Sequence, residues 1–325
     1  MTSHRTPPFR TLERLGWASL ALVVPLGLGL LLDPRTVDGA PVWLKPAKFA
    51  VSIGIYSLTL AWMLPRLTHW PRLARAAAGT TAAALVIELV LITLQAARGT
   101  ASHFNVATPL DGVIFAVMGA AIALQTLAAL AATVALWRQP FDDPALGWAL
   151  RFGMAIAVAG ASVGGLMTQP TRAQLARAEA TGRMPRVGQH TVGAEDGGAG
   201  LPGTGWSLRH GDLRVPHFAG LHAVQVLPLL ALGLARRRSR AADAGLARRL
   251  AAADARLVVT AALAYAAFVA VLLAQALLGQ PVTTPAGGVR VALTVWALGT
   301  AVGLASALGR RHGVRRAIAP AWRVA

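Results

Sequence analysis

Glu88 is the residue that most demands a chemical explanation. It stands in Ala84-Leu85-Val86-Ile87-Glu88-Leu89-Val90-Leu91, ten residues before Arg98 in an otherwise apolar run. An ionisable group at such depth is usually paired, protonated or functional. Five of the eight histidines, His103, His190, His210, His217 and His222, belong to the same half of the hydropathy pattern, whereas His4, His69 and His312 belong to the other. Three short strings carry most of the remaining polar candidates. Pro41-Val42-Trp43-Leu44-Lys45-Pro46-Ala47-Lys48-Phe49 offers two lysines. They read either as cations snorkelling at a membrane boundary or as a pair for an anionic headgroup or substrate. Arg98 to Asn105, continuing through Thr108-Pro109-Leu110-Asp111-Gly112, offers Arg98, His103, Asn105 and Asp111. Pro109 suits a helix start and Asp111 suits its first turn, so a structural account of Asp111 stands beside a catalytic one. Gly211 to Gln225 offers Asp212, Arg214, His217, His222 and Gln225. His222 lies about 10 Å along a helix begun near residue 215, and Glu88 about 15 Å in from its own helix end. A Glu88–His222 contact, or a metal or proton path shared by the two, is therefore a geometric expectation.

Three chemistries could use these residues. Neutral imidazoles from His103, His217 and His222 would leave an open position for a zinc-bound water. Glu88, Asp111 or His222 would then be the catalytic candidates, and Lys45, Lys48 and Arg98 would hold an anionic, lipid-linked substrate. A b-type haem would need two facing imidazoles, His222 with His103 or His217. The third chemistry needs no precise ligand geometry: a proton- or ligand-responsive network around Glu88 and His222, in a transporter, sensor or assembly factor. We favour the third, with Asn105, Asp212, Arg214 and Gln225 as further ligand contacts. Zinc, haem or no cofactor, and enzyme or non-enzyme, stay open at this stage.

These side chains must be positioned by helices in lipid. The chain has 325 residues, 55% of them hydrophobic and only 14% charged, with mean hydropathy +0.55. Soluble domains carry about a quarter charged residues. Long, continuously apolar runs near the roughly 20 residues needed for a bilayer crossing place spans at about 15–32, 47–65, 76–97, 109–136, 146–168, 215–235, 257–279 and 289–308. The fold class expected is an all-α polytopic bundle of about eight spans. The formal charge of +18 does not mark a nucleic-acid binder, because Arg and Lys sit between the spans and not on one soluble face. Twenty of the 31 basic residues fall on one side of the alternating linkers, including the Arg236–Arg256 cluster and a basic tail over 309–325. The positive-inside bias makes that side cytoplasmic, with both termini on it, and puts the histidine-rich strings outside. Met1 to Arg14 is basic and precedes an apolar stretch without an obvious cleavage site, which reads as a retained first helix.

The absence of cysteine excludes disulfides and thiolate sites. Trp17, Trp43, Trp62, Trp70, Trp137 and Trp148 lie near span ends, where amphipathic rings prefer the headgroup region. The 169–214 segment is the one long loop. Thr171 to Gln174 has capping-box spacing before a short amphipathic helix that Gly182 should end, and an ordered cap over the bundle is the expected form. Richness in Ala, Arg and Gly suggests a high-GC bacterial genome, hence a bacterial inner (plasma) membrane. No internal repeat supports an inverted-repeat transporter.

At the same three strings, with Gly211–Gln225 continuing into Val226-Leu227-Pro228-Leu229-Leu230, the chain resembles an uncharacterised group of multi-spanning membrane proteins of high-GC bacteria. The likeness runs from about residue 38 to 235. That resemblance implies a polytopic inner-membrane protein and no particular activity. A looser similarity is to membrane-embedded zinc hydrolases of the ceramidase and adiponectin-receptor type, which use Ser, Asp and three His. Ser102, Asp111, His103, His217 and His222 supply those types, but two histidines of that group stand four apart where His217 and His222 stand five apart.

Overall fold

In a computed structural model, which describes residues 7–239 and 244–316, the chain is a helical bundle with almost no sheet. His4, Arg240 and the basic tail beyond residue 316, Arg323 included, lie outside the described residues. Among the described residues, eight helices are long and apolar enough to span a membrane: α1 (Pro7–Leu32), α2 (Leu44–Met63), α3 (Pro71–Ala97), α4 (Pro109–Arg138), α5 (Pro144–Met167), α7 (Arg214–Arg238), α8 (Ala244–Leu277) and α9 (Gly287–Arg316). An intervening short helix, α6 (Arg172–Thr181), crosses nothing. Several helices extend beyond the apolar runs, α8 by nearly four turns at its start, because a helix does not stop where hydrocarbon does. Proline opens α3, α4 and α5 at positions where a missing N–H costs nothing. Thr108 and Asp143 cap α4 and α5 by accepting from the first free backbone amides.

Small residues set the closest crossings. Gly160 of α5 and Gly220 of α7 meet backbone to backbone, and Gly16 of α1 and Gly54 of α2 leave room for Leu58 and Leu20. Where apolar side chains have no advantage over lipid tails, such contact and interhelical hydrogen bonds supply the packing energy. Helices α1 to α4 pack in chain order and α5, α7 and α8 form the other half, with α9 against α8.

An even number of crossings puts the first and last spans' outer ends on one face. The other face is capped. There the hairpin β1 (Thr36–Val37) with β2 (Ala40–Pro41), the loop 98–108 and the segment 168–213 close over the helices. Arg35 and Trp43 both donate to Asp33, and Arg35 also reaches the carbonyl of Ala97, which ties the hairpin to α3. In the long segment, the Thr171–Gln174 capping box forms and Gly182 ends α6 in the left-handed conformation. Short strands β3 (Thr191–Val192) and β4 (Gly211–Asp212) pair, and Val187 N–H donates to Phe104 O at 2.9 Å while Val106 N–H donates to Pro185 O at 3.0 Å. Two glycines let this cap sit directly on helix ends. A Cβ at Gly188 would stand 2.1 Å from Met167 O, and one at Gly211 2.0 Å from Ala276 O.

The opposite face is held by ions. Asp254 of α8 is fully buried and accepts from Arg311 of α9 at 2.6 Å and from Arg238 of α7 at 2.9 Å; Arg238 continues to Asp143 at the start of α5. Four helices are thus joined at one end by two carboxylates and two guanidiniums.

Candidate functional site

Beneath the cap, five elements bring titratable side chains together. Glu88 is 3% exposed on α3. Its Oε1 lies 3.3 Å from Nε2 of His103, while its Oε2 is buried with no hydrogen-bond partner among the described residues. His103 can reach it because the loop 98–108 folds inward. Phe104, buried and at φ +62°, turns the chain at that point, an uncommon conformation for an aromatic residue that its packing against Phe115 and His190 holds in place. Ser102 Oγ lies 3.1 Å from His103 Nδ1. With the hydroxyl donating to Nδ1, the ring proton sits on Nε2 and faces the carboxylate.

Around this pair stand Lys45 of α2, His190 of the cap and His217 of α7, all within electrostatic reach of His103. Lys45 is half-buried, shares a field with Glu88, and makes no hydrogen bond or ion pair among the described residues. His190 is fixed through Nδ1 to Asp196 at 2.8 Å, and His217 through Nδ1 to Gly160 O at 2.8 Å, so both keep Nε2 unengaged. Burial, followed by the charges of Lys45, His190 and His217, holds His103 well below its usual pKa. Burial also lowers His190, against the opposing bond and charge of Asp196. Asp196 is itself held below the usual carboxylate range: burial works against the charge, and the bonds and charge of His190 outweigh it.

A pH dependence follows from His103. Its proton affinity in the folded state is below that of the unfolded chain, near pH 6.5. The unfolded state therefore takes up a proton first as pH falls, and the contribution of His103 to stability, full above about pH 6.5, is lost on acidification. One such group can shift stability by up to about 1.4 kcal/mol per pH unit across that window. Thermal unfolding of the purified protein between pH 5 and 8 should show this slope, and His103→Gln should make it shallower, with His190 supplying a remainder of the same sign. An equally steep slope in the variant would mean that His103 is not buried as described.

Most other residues singled out from the sequence are engaged elsewhere. Asp111, weighed above as a catalytic group, accepts from Gln95 at 2.9 Å, Arg98 at 2.7 Å and Thr108 at 2.7 Å, so it organises the start of α4 and the loop before it. Arg98 is thereby taken out of any ligand pair. Asn105 is buried and bonds Thr100, Ala101 O and Ala107 N within its own loop. Asp212 and Arg214 form a two-pronged ion pair, with Arg214 also donating to Gly205 O at 2.6 Å. Lys48 has one partner, Thr204 O, at 3.0 Å. Gln225 donates to Thr59 of α2 at 3.3 Å and leaves its Oε1 buried and unpaired.

His222 lies outside the cluster. It is exposed and makes no hydrogen bond or ion pair among the described residues, so the histidine beside Glu88 is His103. The cause is helical phase. His217, Gly220, Val224 and Leu227, spaced three, four and three apart, turn inward, and His222, Val226 and Leu229 share the outward face. The expected zinc trio of His103, His217 and His222 accordingly does not converge, and among the described residues no three His, Asp or Glu side chains group as metal ligands. His222 is likewise turned away from the imidazole that a haem pair would require. Glu88, His103 and Lys45 were each singled out from the sequence, but their grouping and the His190–Asp196 pair were not predicted.

No family model matches this chain, and neither does a curated protein or a solved structure.

Proposed function

We propose that this integral membrane protein is a transporter or sensor whose capped end holds a proton-responsive network built on Glu88 and His103. The observation that carries this reading is a buried carboxylate with one oxygen facing an imidazole and the other left without a donor. A second unpaired group, Lys45, lies within its field. Such a carboxylate is stable as an acid or as a partner of a proton or ligand that comes and goes. The metal-hydrolase reading asks for converging donors, and the haem reading for facing imidazoles; neither set is grouped for it. The excess of arginine at the ionic end, read by the positive-inside bias, orients that end to the cytoplasm and the cap outward, in the plasma membrane of a bacterium.

The absence of cysteine allows a clean test, since a single Ala176→Cys on the exposed face of α6 carries one fluorophore and reports on the cap. In that background the signal should titrate between pH 5 and 8, and Glu88→Gln, which keeps shape but cannot ionise, should remove the transition. A Glu88→Gln protein that titrates as its parent does would overturn the reading.

A further inference from the structure

The capped end holds more cationic than anionic charge in want of a partner. Of the basic groups there, Arg214 is matched by Asp212, Arg98 by Asp111, Arg35 by Asp33, Arg186 by Asp38 and Arg177 by Glu195, while Arg172, Arg183 and Arg209 are exposed and need no partner but water. Among the described residues, Lys45 and Lys48 have no carboxylate bound to them. They stand three residues apart, hence on neighbouring positions of one helix face, and both are half-buried under the cap. Long cationic side chains held away from bulk water without a counter-ion are arranged for an anion that is not part of the chain. The independent observation is on the facing helix. Glu88 Oε2 is buried, has no donor, and belongs to the group whose charge Lys45 feels most among its neighbours.

We propose that Lys45 and Lys48 receive a small oxyanion (a carboxylate, sulfate or phosphate group) and that it binds together with a proton carried by Glu88. This rests on the proton-responsive reading above and names the ligand class. An ionised Glu88 would repel the anion; a protonated Glu88 offers it the O–H that Oε2 otherwise has nowhere to place. By linkage, the proton and the anion each favour the other's binding by the same factor. The other charged or titratable groups facing the site are Asp38 of the hairpin, His103, His190 with Asp196 in the cap, and Arg214, Asp212 and His217 at the start of α7. Of these the acids are already paired, with Asp38 to Arg186, Asp196 to His190 and Asp212 to Arg214.

The test is calorimetric titration of sodium sulfate and sodium acetate into the full chain in zwitterionic lipid nanodiscs, at constant ionic strength, from pH 6 to 8. Binding should tighten by up to about tenfold per pH unit fallen, and paired buffers of different ionisation enthalpy should show uptake of up to about one proton per anion. Lys45→Met should weaken binding at least about tenfold at every pH, and Glu88→Gln should bind without pH dependence. Equal binding by Lys45→Met would overturn the proposal. So would anion binding to the unmutated protein without proton uptake, a result that does not depend on any variant folding. Repeating the titration in nanodiscs containing phosphatidylglycerol separates the sources of the anionic group: loss of sulfate binding assigns it to a lipid headgroup, and unchanged binding to a free anion. If neither salt binds in either lipid while the cap fluorophore still titrates through Glu88, the ligand class is wrong and the proton network stands. If the fluorophore response also survives Glu88→Gln, both fall.

Discussion

Replacing Asp254 with alanine should cost about 3–5 kcal/mol of stability, the most of any single polar substitution in the described chain. The carboxylate is fully buried and holds Arg311 at 2.6 Å and Arg238 at 2.9 Å. Removing it strands the Arg311 guanidinium in a site where it is 4% exposed and where its Nη2 already lacks a partner among the described residues. Arg238 retains Asp143, so the loss centres on Arg311 and on the junction of α8 with α9. The penalty belongs to the uncompensated cation and not to the ion pair as such. Asp254→Leu combined with Arg311→Met should therefore recover at least half of what Asp254→Leu alone loses, a non-additivity that the double-mutant cycle of these two substitutions measures directly. Thermal or denaturant unfolding in detergent gives both numbers. A loss under about 1 kcal/mol for Asp254→Ala would show that water reaches this cluster. The pH response of the capped end should survive, because Asp254 lies among the charges of the opposite face.

The parts of this architecture that were legible are those fixed by the solvent. Eight apolar runs had to be helices, because lipid leaves backbone amides no other partner than their own helix. Glu88 was legible for the same reason, as an ionisable group where none is free of cost. Its partner was not, since helix depth was the only coordinate available. Depth placed Glu88 and His222 level, whereas the real neighbour arrives from a loop that turns inward at Phe104, and no periodicity describes a loop. The phase of α7 was available in principle. Gly220 and Ala223 mark the face that packs closely, and His217 falls on it while His222 does not. Thr108-Pro109-Leu110-Asp111 carried its capping role openly, with Pro109 at the first helical position and Thr108 as cap. Asp254 was hidden by its company: in Ala253-Asp254-Ala255-Arg256 it reads as one more charge at a cytoplasmic boundary, and only the convergence of α7, α8 and α9 makes it interior.

Gly220→Ala should separate α5 from α7 and cost about 1–3 kcal/mol, the range for forcing a methyl into a filled interior. A Cβ at Gly220 would lie 2.6 Å from Gly160 Cα and 3.3 Å from Ile156 O; a Cβ at Gly160 would lie 2.7 Å from Gly220 Cα. Both obstacles are backbone, so no rotamer change relieves them and one helix must move. Movement opens the contacts of Ala223, Val224 and Leu227 and lengthens the 2.8 Å bond from His217 Nδ1 to Gly160 O, which holds the imidazole toward the site. Either alanine forces the same separation, so Gly160→Ala and Gly220→Ala together should cost clearly less than their sum. Glycines with open space above them supply the control. Gly165→Ala in α5 and Gly233→Ala in α7 meet nothing within 4 Å and should be neutral or stabilising by up to about 1 kcal/mol through helix propensity. Unfolding midpoints of the five variants decide the matter. If Gly220→Ala behaves like Gly233→Ala, then α5 and α7 do not cross at these glycines and His217 is not held as described. A midpoint lowered only at the crossing, with the cap fluorophore's titration displaced in the same variant, would tie the close approach of two helices to the setting of the proton network above them.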